Sequence, residues 1–351
     1  MEIWEALVLG IIQGLSEFLP ISSSGHLLLI EKLGFGQENL FFNVMLHVGT
    51  LAAVLIALRK TWIPLVIQPF GDLKKLLFRR KNAVKKQNKP RKQTTSRQTA
   101  ARKQTVTSRQ TAAKKQTTSR QTAARKQTTS GQATLSGQTV ACGQTDSSLI
   151  NDKETYEYQR VFGGLSASKI DGYLVLACVP TVAFAFAFKL LFPDLLEGKL
   201  LGCGFVLTAV LLYAGENFNS TKSTLLTPKT SILTGVLQGI AVLPGVSRSG
   251  ATISALTLQG VEKKAATTFS FLLSIPIILG SALYESLDLF TGKATLSIAP
   301  AAVAVGVISA FLSGLVAIKF FFKLIEKHSM TGFVIYTLLL GIAVSVYPFF
   351  V

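Results

Sequence analysis

Long blocks of apolar residues, separated by short polar or charged segments, fill roughly residues 1–70 and 165–351. An apolar run of about 18 or more residues with few charges spans a bilayer as a helix. Such runs fall at roughly 41–58, 171–192, 200–215, 265–286, 298–322 and 332–350. Two further apolar segments, roughly 5–33 and 231–258, are too long for loops, and each is interrupted by Pro, Gly and a Ser cluster. These predict broken, re-entrant half-helices, because backbone that leaves regular helix at membrane depth must be buried in protein or line a wet cavity. The expected fold is therefore all-α: a polytopic membrane protein with about six transmembrane helices and two re-entrant broken-helix pairs.

Charge changes the picture in one place. The chain has 351 residues, is 49% hydrophobic and carries a formal net charge of +18, with a mean hydropathy of +0.44. Between Arg79 and Arg160 there are 19 Lys or Arg against 4 Asp or Glu, so most of the positive charge lies in that stretch. The expected organisation is a membrane domain begun by 1–78, a basic insert at 79–163, and the remainder of the membrane domain at 164–351. Basic residues flanking spans mark the cytoplasmic side. Arg59 and Lys60, the insert, Lys222 and Lys229, Lys263 and Lys264, and Lys319, Lys323 and Lys327 all fall on one side if the two interrupted segments each begin and end on the same side. The opposite ends carry Asp194, Glu197, Glu285 and Asp288. The opening residues Met1 to Glu5 lack the positive region of a signal peptide, so the N-terminus is expected to be retained. Three cysteines, Cys142, Cys178 and Cys203, have no metal-ligand spacing and read as packing residues.

The interrupted segments resemble each other. QGLSEFLPISSSG at 13–25 and QGIAVLPGVSRSG at 238–250 share a Gln-Gly start, a Pro and a Ser-x-Ser-Gly end, and each precedes a Phe-rich span. With the orientation above, the first opens outward and the second inward. That is an inverted-topology repeat, whose broken helices meet near the midplane and aim their N-termini at an anionic group. The ordinary alternative is chance similarity between small-residue stretches of membrane helices.

A charge inside an apolar segment is costly and marks function. Glu17 and His26 lie in the first interruption and Arg248 in the second. Gln13 and Glu17, four apart, share a helix face and could hold a hydrated divalent cation such as Mg2+ or Ca2+. A structural ion pair with Arg248 is the competing reading for Glu17. Ser22, Ser23, Ser24 and Gly25 can form an anion-binding concavity, although Ser22 and Ser24 would also serve as N-caps. Ser23 beside His26, with a carboxylate nearby, is the arrangement of a nucleophile and its base, in either assignment. His47, on an apolar span, reads as structural. Arg248 offers two parallel bonds to phosphate oxygens and stays charged when buried. With Ser247, Ser249, Gly250 and Thr252 it reads as a phosphate cradle.

With QGLSEFLPISSSGHL and PGVSRSGATIS in view, the sequence resembles the undecaprenyl-diphosphate phosphatase family, also called the bacitracin-resistance protein family. The likeness extends to HVGTLAAVL at 47–55 and FSFLLSIP at 269–276 and covers nearly the whole chain except about 80–163. The family's Glu/Gln-x-x-x-Glu motif falls on Gln13 and Glu17, and its Ser-Ser-Gly-His element on Ser23 to His26. Its Pro-Gly-x-Ser-Arg-Ser-x-x-Thr motif falls on Pro244, Gly245, Ser247, Arg248, Ser249 and Thr252. The resemblance implies hydrolysis of undecaprenyl diphosphate to the monophosphate at the outer face of the bacterial inner membrane. It also implies a divalent cation, an inverted-repeat helical fold and often a homodimer. A polyprenyl-phosphate transporter or flippase is the rival, since carriers share this architecture, but a carrier has no use for a nucleophile beside a metal-binding carboxylate.

The insert departs from the family. It holds near-copies of one unit, RKQTTSRQTAA from Arg91, RKQTVTSRQTAA from Arg102, KKQTTSRQTAA from Lys114 and RKQTTSGQATL from Arg125. The unit has no apolar stripe and cannot bury a core, so a disordered cytoplasmic loop is expected. Without an aromatic residue to stack on bases, no nucleic-acid partner is expected. Electrostatic attachment to anionic lipid headgroups, or failing that to nucleic acid, is the functional reading, and a merely solvated repeat the bland one.

Overall fold

The computed structural model describes residues 1–36, 39–69, 160–218, 226–290 and 298–346. The chain divides into Met1–Asp72 with Leu149–Val351, described below, and Leu73–Ser148, which lies outside the described residues. The basic insert read at 79–163 lies outside them too, apart from 160–163. Every regular element among the described residues is an α-helix.

The helices are α1 (Ile3–Phe18), α2 (Ser23–Lys32) and α3 (Leu40–Ala57), followed by α4 (Arg59–Pro69). After the insert come α5 (Ala167–Leu191), α6 (Leu201–Asn217), α7 (Pro228–Ile240), α8 (Arg248–Leu258), α9 (Lys263–Phe290), α10 (Pro300–Lys327) and α11 (Thr331–Val346). Each of the six spans expected from hydropathy coincides with a helix over its described residues. Helices α5, α9 (over Lys263–Tyr284) and α10 are individually long and apolar enough to cross a membrane, and α3 is so together with α4, from which it is bent by 82°. Helices α6 and α11 are shorter apolar helices. Their outward surfaces stay apolar, as at Val210, Leu339 and Ile342. This suits a multi-pass protein in contact with lipid.

The two interrupted segments are each a helix, a break and a helix. At 16, 10, 13 and 11 residues, α1, α2, α7 and α8 reach about 15–24 Å at 1.5 Å per residue. None matches the roughly 30 Å of hydrocarbon. Their caps agree position for position. Ser22 Oγ accepts from the Gly25 N–H at 3.3 Å to start α2, and Ser247 Oγ accepts from the Gly250 N–H at 3.1 Å to start α8. Before α8 the chain turns through Gly245 at φ +88°, where a Cβ would stand 2.4 Å from the Leu201 carbonyl oxygen. Only glycine fits that turn.

Packing repeats the sequence repeat. Helix α1 lies on α10 and α7 lies on α5, while α3 packs on α9 and α6 on α11. Exchanging the halves therefore maps these contacts onto themselves. The close approach of α1 to α10 rests on Gly10 and Gly14, where a Cβ would meet Ser309 Oγ at 1.9 Å and Ser313 Oγ at 2.0 Å. The equivalent Gly235 and Gly239 of α7 sit against the Ala177 carbonyl oxygen (2.1 Å to a built Cβ) and Phe184 Cβ (2.6 Å) of α5. Small residues at such crossings let backbones approach where lipid supplies no hydrophobic drive and dispersion must hold helices together.

A compact aromatic core sits beside the first break. Phe18, the last residue of α1, meets Phe271 of α9 edge-on at 5.3 Å, and Phe271 meets Phe321 of α10 at 6.0 Å. All three are nearly inaccessible. This packing holds the C-terminal end of α1, and with it Glu17, against the second half of the chain. Of the cysteines, Cys178 packs against the core and Cys203 is exposed, both as free thiols.

Candidate active site

The two breaks meet at a cavity of about 300 Å3 lined by Glu17, Ser22, Ser23 and Ser24 from the first and by Ser247 and Arg248 from the second. A volume of this order suits a small polar head group. Helix α3 contributes Asn43, Val44 and His47, and α9 contributes Ile277, Ser281 and Ala282. Thr181 of α5 and Gln238 of α7 complete one side.

Glu17 is the hub. Its side chain is only 2% exposed, so its charge persists there only with partners. The Arg248 guanidinium donates to Oε1. Oε2 accepts from Ser23 Oγ at 2.5 Å and from Gln13 Nε2 at 3.0 Å, and His47 Nε2 lies 3.7 Å away. A serine hydroxyl is thus aimed at a carboxylate oxygen, while an arginine with further N–H donors stands at the start of α8. Two helix N-termini, those of α2 and α8, border the same cavity through Ser23 and Arg248. Each adds partial positive charge and free backbone donors. A serine hydroxyl, a carboxylate, a guanidinium and two helix N-termini therefore meet in one concavity, groups of the kinds that can serve as nucleophile, base and anion cradle.

The remaining residues singled out from sequence are placed as follows. Gln13 is buried and reaches the site through Glu17. Gly25 lies against Phe205 and the Gly245 backbone, and a Cβ there would come within 2.7 Å of the Phe205 ring. Ser249 Oγ bonds to Ser247 Oγ and to the Leu19 carbonyl, both at 3.3 Å, which ties the two breaks together. Thr252 Oγ1 bonds into α8 and to Ser270 of α9 at 2.6 Å. Gly250 serves the α8 cap. His26 is turned to Tyr336 and to the Ser22 carbonyl, at 2.7 Å each. None of these is part of the cavity wall.

Conversely, Asn43, His47, Thr181, Gln238 and Ser281 form part of that wall, and sequence reading passed them over or, for His47, assigned a structural place. Gln238 alone carried a signal, as the repeat equivalent of Gln13. The correspondence reaches atomic detail. Gln13 Nε2 donates to Glu17 and Gln238 Nε2 donates to Thr181 Oγ1 at 2.8 Å, and the Oε1 of each is buried with no hydrogen-bond partner among the described residues.

For a metal, no group of three or more His, Cys, Asp or Glu stands together among the described residues. The oxygen donors are nevertheless of the type a hard cation takes. Gln13 Oε1 is an unsatisfied acceptor on the same face as the Glu17 carboxylate. Mg2+ is commonly held by one or two carboxylates with water and substrate phosphate completing its shell, and Glu17 with Gln13 fits that pattern.

With this geometry in hand, comparison with known proteins gives consistent relatives. The sequence model of the family described as Bacitracin resistance protein BacA matches residues 6–94 and 111–343. The match thus runs into both ends of the basic segment, past the limits of about 80 and 163 to which the motif resemblance extends. A protein named undecaprenyl-diphosphatase from Carboxydothermus hydrogenoformans is 28% identical over 351 residues, covering 99% of this chain and 97% of that protein. One of the same name from Desulforudis audaxviator is 30% identical over 350 residues, covering 99% and 98%. Another from Korarchaeum cryptofilum is 28% identical over 345 residues, covering 98% of each.

Proposed function

The chain belongs to the bacitracin resistance protein BacA family, and from that premise we propose that it hydrolyses undecaprenyl diphosphate to undecaprenyl phosphate and inorganic phosphate. This recycles the lipid carrier of cell-wall synthesis and confers bacitracin resistance. The observation that carries the reading is the Ser23–Glu17–Arg248 arrangement, in which one carboxylate receives a serine hydroxyl on one oxygen and a guanidinium on the other.

The diphosphate enters the cavity while the prenyl chain stays in lipid. Arg248 and the N-termini of α2 and α8 hold the terminal phosphoryl group and stabilise charge on its equatorial oxygens as it transfers. Ser23 Oγ attacks that phosphorus in line with the bridging oxygen. As the new O–P bond forms, Glu17 takes the hydroxyl proton; the bridging O–P bond breaks and the prenyl phosphate leaves with the electron pair and that proton. Water then attacks the phosphoserine, Glu17 accepts a water proton, and the Ser23 oxygen departs and recovers it. A bound divalent cation, held by Glu17 and Gln13, would supply additional charge neutralisation on the phosphates.

The cavity is proposed to open at the outer face. Its wall takes Asn43, Val44 and His47 from the first half of α3 and Ile277, Ser281 and Ala282 from the far half of α9. The basic ends of those helices, Arg59 and Lys60 after α3 and Lys263 and Lys264 opening α9, lie at their other extremities. Positive ends favour the cytoplasmic side, which supports an outward opening.

The test is inorganic phosphate release from C15 and C55 diphosphates by purified protein in detergent. The parent releases phosphate; Ser23→Ala and Glu17→Gln each lose about a thousandfold or more in kcat, and acid quenching of the parent traps phosphate on Ser23. Parental release by Ser23→Ala would exclude the serine as nucleophile. Translocation of lipid without any release would replace the enzyme by a carrier.

A further inference from the structure

Ser22 is the one non-glycine residue with positive φ among the described residues, at φ 72° and ψ 95°. That backbone is unfavourable for a side chain bearing a Cβ, and it persists only where surroundings hold it. It is also the joint that turns the chain from the break into α2 and so aims Ser23, the next residue, at Glu17. What holds it is His26. The Ser22 carbonyl accepts two bonds from this one residue, the His26 backbone N–H at 3.2 Å and Nδ1 at 2.7 Å.

A carbonyl can only accept, so the ring proton must sit on Nδ1. In the neutral ring this leaves Nε2 as an acceptor, and it takes the Tyr336 hydroxyl proton at 2.7 Å. The imidazole is further fixed by stacking on Tyr336 (5.8 Å, 9°) and by the edge of Phe205 (5.4 Å, 85°). Its one lone pair is therefore spent on α11, on the side away from the cavity, whose wall does not include His26.

We propose that His26 is a positioning residue: braced by Tyr336 and protonated on Nδ1, it holds the Ser22 carbonyl and so fixes the strained joint that delivers Ser23 Oγ to Glu17. Its ring takes no proton from substrate, water or serine. This rests on the reading of Ser23 as nucleophile and deepens it.

The side chain of Asn carries an N–H in the place of imidazole Nδ1, whereas that of Gln reproduces Nε2. His26→Asn is therefore expected to keep kcat for phosphate release within about tenfold of the parent, and His26→Ala and His26→Gln to lose about a hundredfold, the cost of misplacing a reacting group by about 1 Å. KM rises by no more than severalfold in all three, since Arg248 and the N-terminus of α8 are untouched. Tyr336→Phe, which keeps the Nδ1 bond and removes the brace, loses severalfold. In 15N-histidine spectra of the parent, His26 shows the Nδ1–H form. The proposal falls if Asn is as impaired as Ala, if all three variants match the parent, or if His26 carries its proton on Nε2. Should Ala fail to fold, the comparison of Asn with Gln decides. Parental activity in Ser23→Ala would instead overturn the nucleophile assignment, a separate result from any outcome at His26.

Discussion

Glu17, near the end of α1, and Arg248, the first residue of α8, are separated by 231 positions in the chain and joined by an ion pair in the fold. The contact ties the two re-entrant segments together at the point where their breaks meet. With Glu17 almost wholly enclosed and the arginine side chain 22% exposed, neither charge is well solvated by water. Each therefore depends on the other.

Removing one member should cost both stability and turnover. Arg248→Ala leaves a buried carboxylate without its partner, worth about 3 kcal/mol of stability, and removes a phosphoryl-stabilising arginine, worth about 10³-fold or more in kcat. Arg248→Lys keeps a point charge but not the fork and recovers only part of the activity. The double change Glu17→Gln with Arg248→Met should regain the stability, read by thermal unfolding in detergent, while remaining inactive. A double variant as unstable as Arg248→Ala would show that the pair is not what holds the breaks together.

Gly14 lies where α1 touches α10, and a Cβ would stand 2.4 Å from the Ala310 carbonyl oxygen as well as against Ser313. Gly14→Leu is expected to destabilise the fold by about 3 kcal/mol, at the upper end of overpacking costs. Gly172 of α5 has nothing within 4 Å of a built Cβ. Gly172→Ala should be neutral or stabilising by up to about 1 kcal/mol through helix propensity. Equal effects of the two changes on unfolding would contradict the close packing.

Gln13 offers an unsatisfied buried oxygen beside Glu17. If that oxygen helps hold a divalent cation, a chelator abolishes phosphate release, and readdition of Mg2+ or Ca2+ restores it. Gln13→Ala should then raise the cation concentration for half-maximal activity about tenfold, a loss of the size seen when a supporting metal contact is removed. Full activity in excess chelator would dismiss the cation.

Among the described residues, those that meet at the cavity all lie outside the basic repeats. Deletion of residues 85–145 is accordingly expected to leave kcat and KM in detergent unchanged. Binding of the parent to anionic vesicles should exceed that of the deletion variant at low salt, and the difference should fade as salt rises.

Much of this protein was legible from order along the chain. Apolar run length alone located the helices at 41–57, 167–191, 201–217, 263–284, 300–327 and 331–346. Ionisable groups at the interruptions of apolar segments singled out Glu17, His26 and Arg248, because hydrocarbon tolerates no idle charge. The matching words at 13–25 and 238–250 foretold two equivalent breaks, and the paired Ser22 and Ser247 caps realise them.

Tertiary structure decided what those residues meet. Asn43, His47, Thr181 and Ser281 sit on ordinary apolar helices, where a lone polar side chain usually bonds back to its own turn, as Thr181 does to the Ala177 carbonyl. Nothing local distinguishes such a residue from one facing a cavity, since the wall forms only when α3, α5, α7 and α9 close around it. His26 shows the same limit from the other side. Its neighbours in sequence, Ser23 and Ser24, line the cavity, yet one turn of helix is enough to carry its ring to Tyr336 of α11, 310 positions away. Helix periodicity fixes which residues share a face; which face looks onto the cavity is settled by packing between elements far apart in the chain.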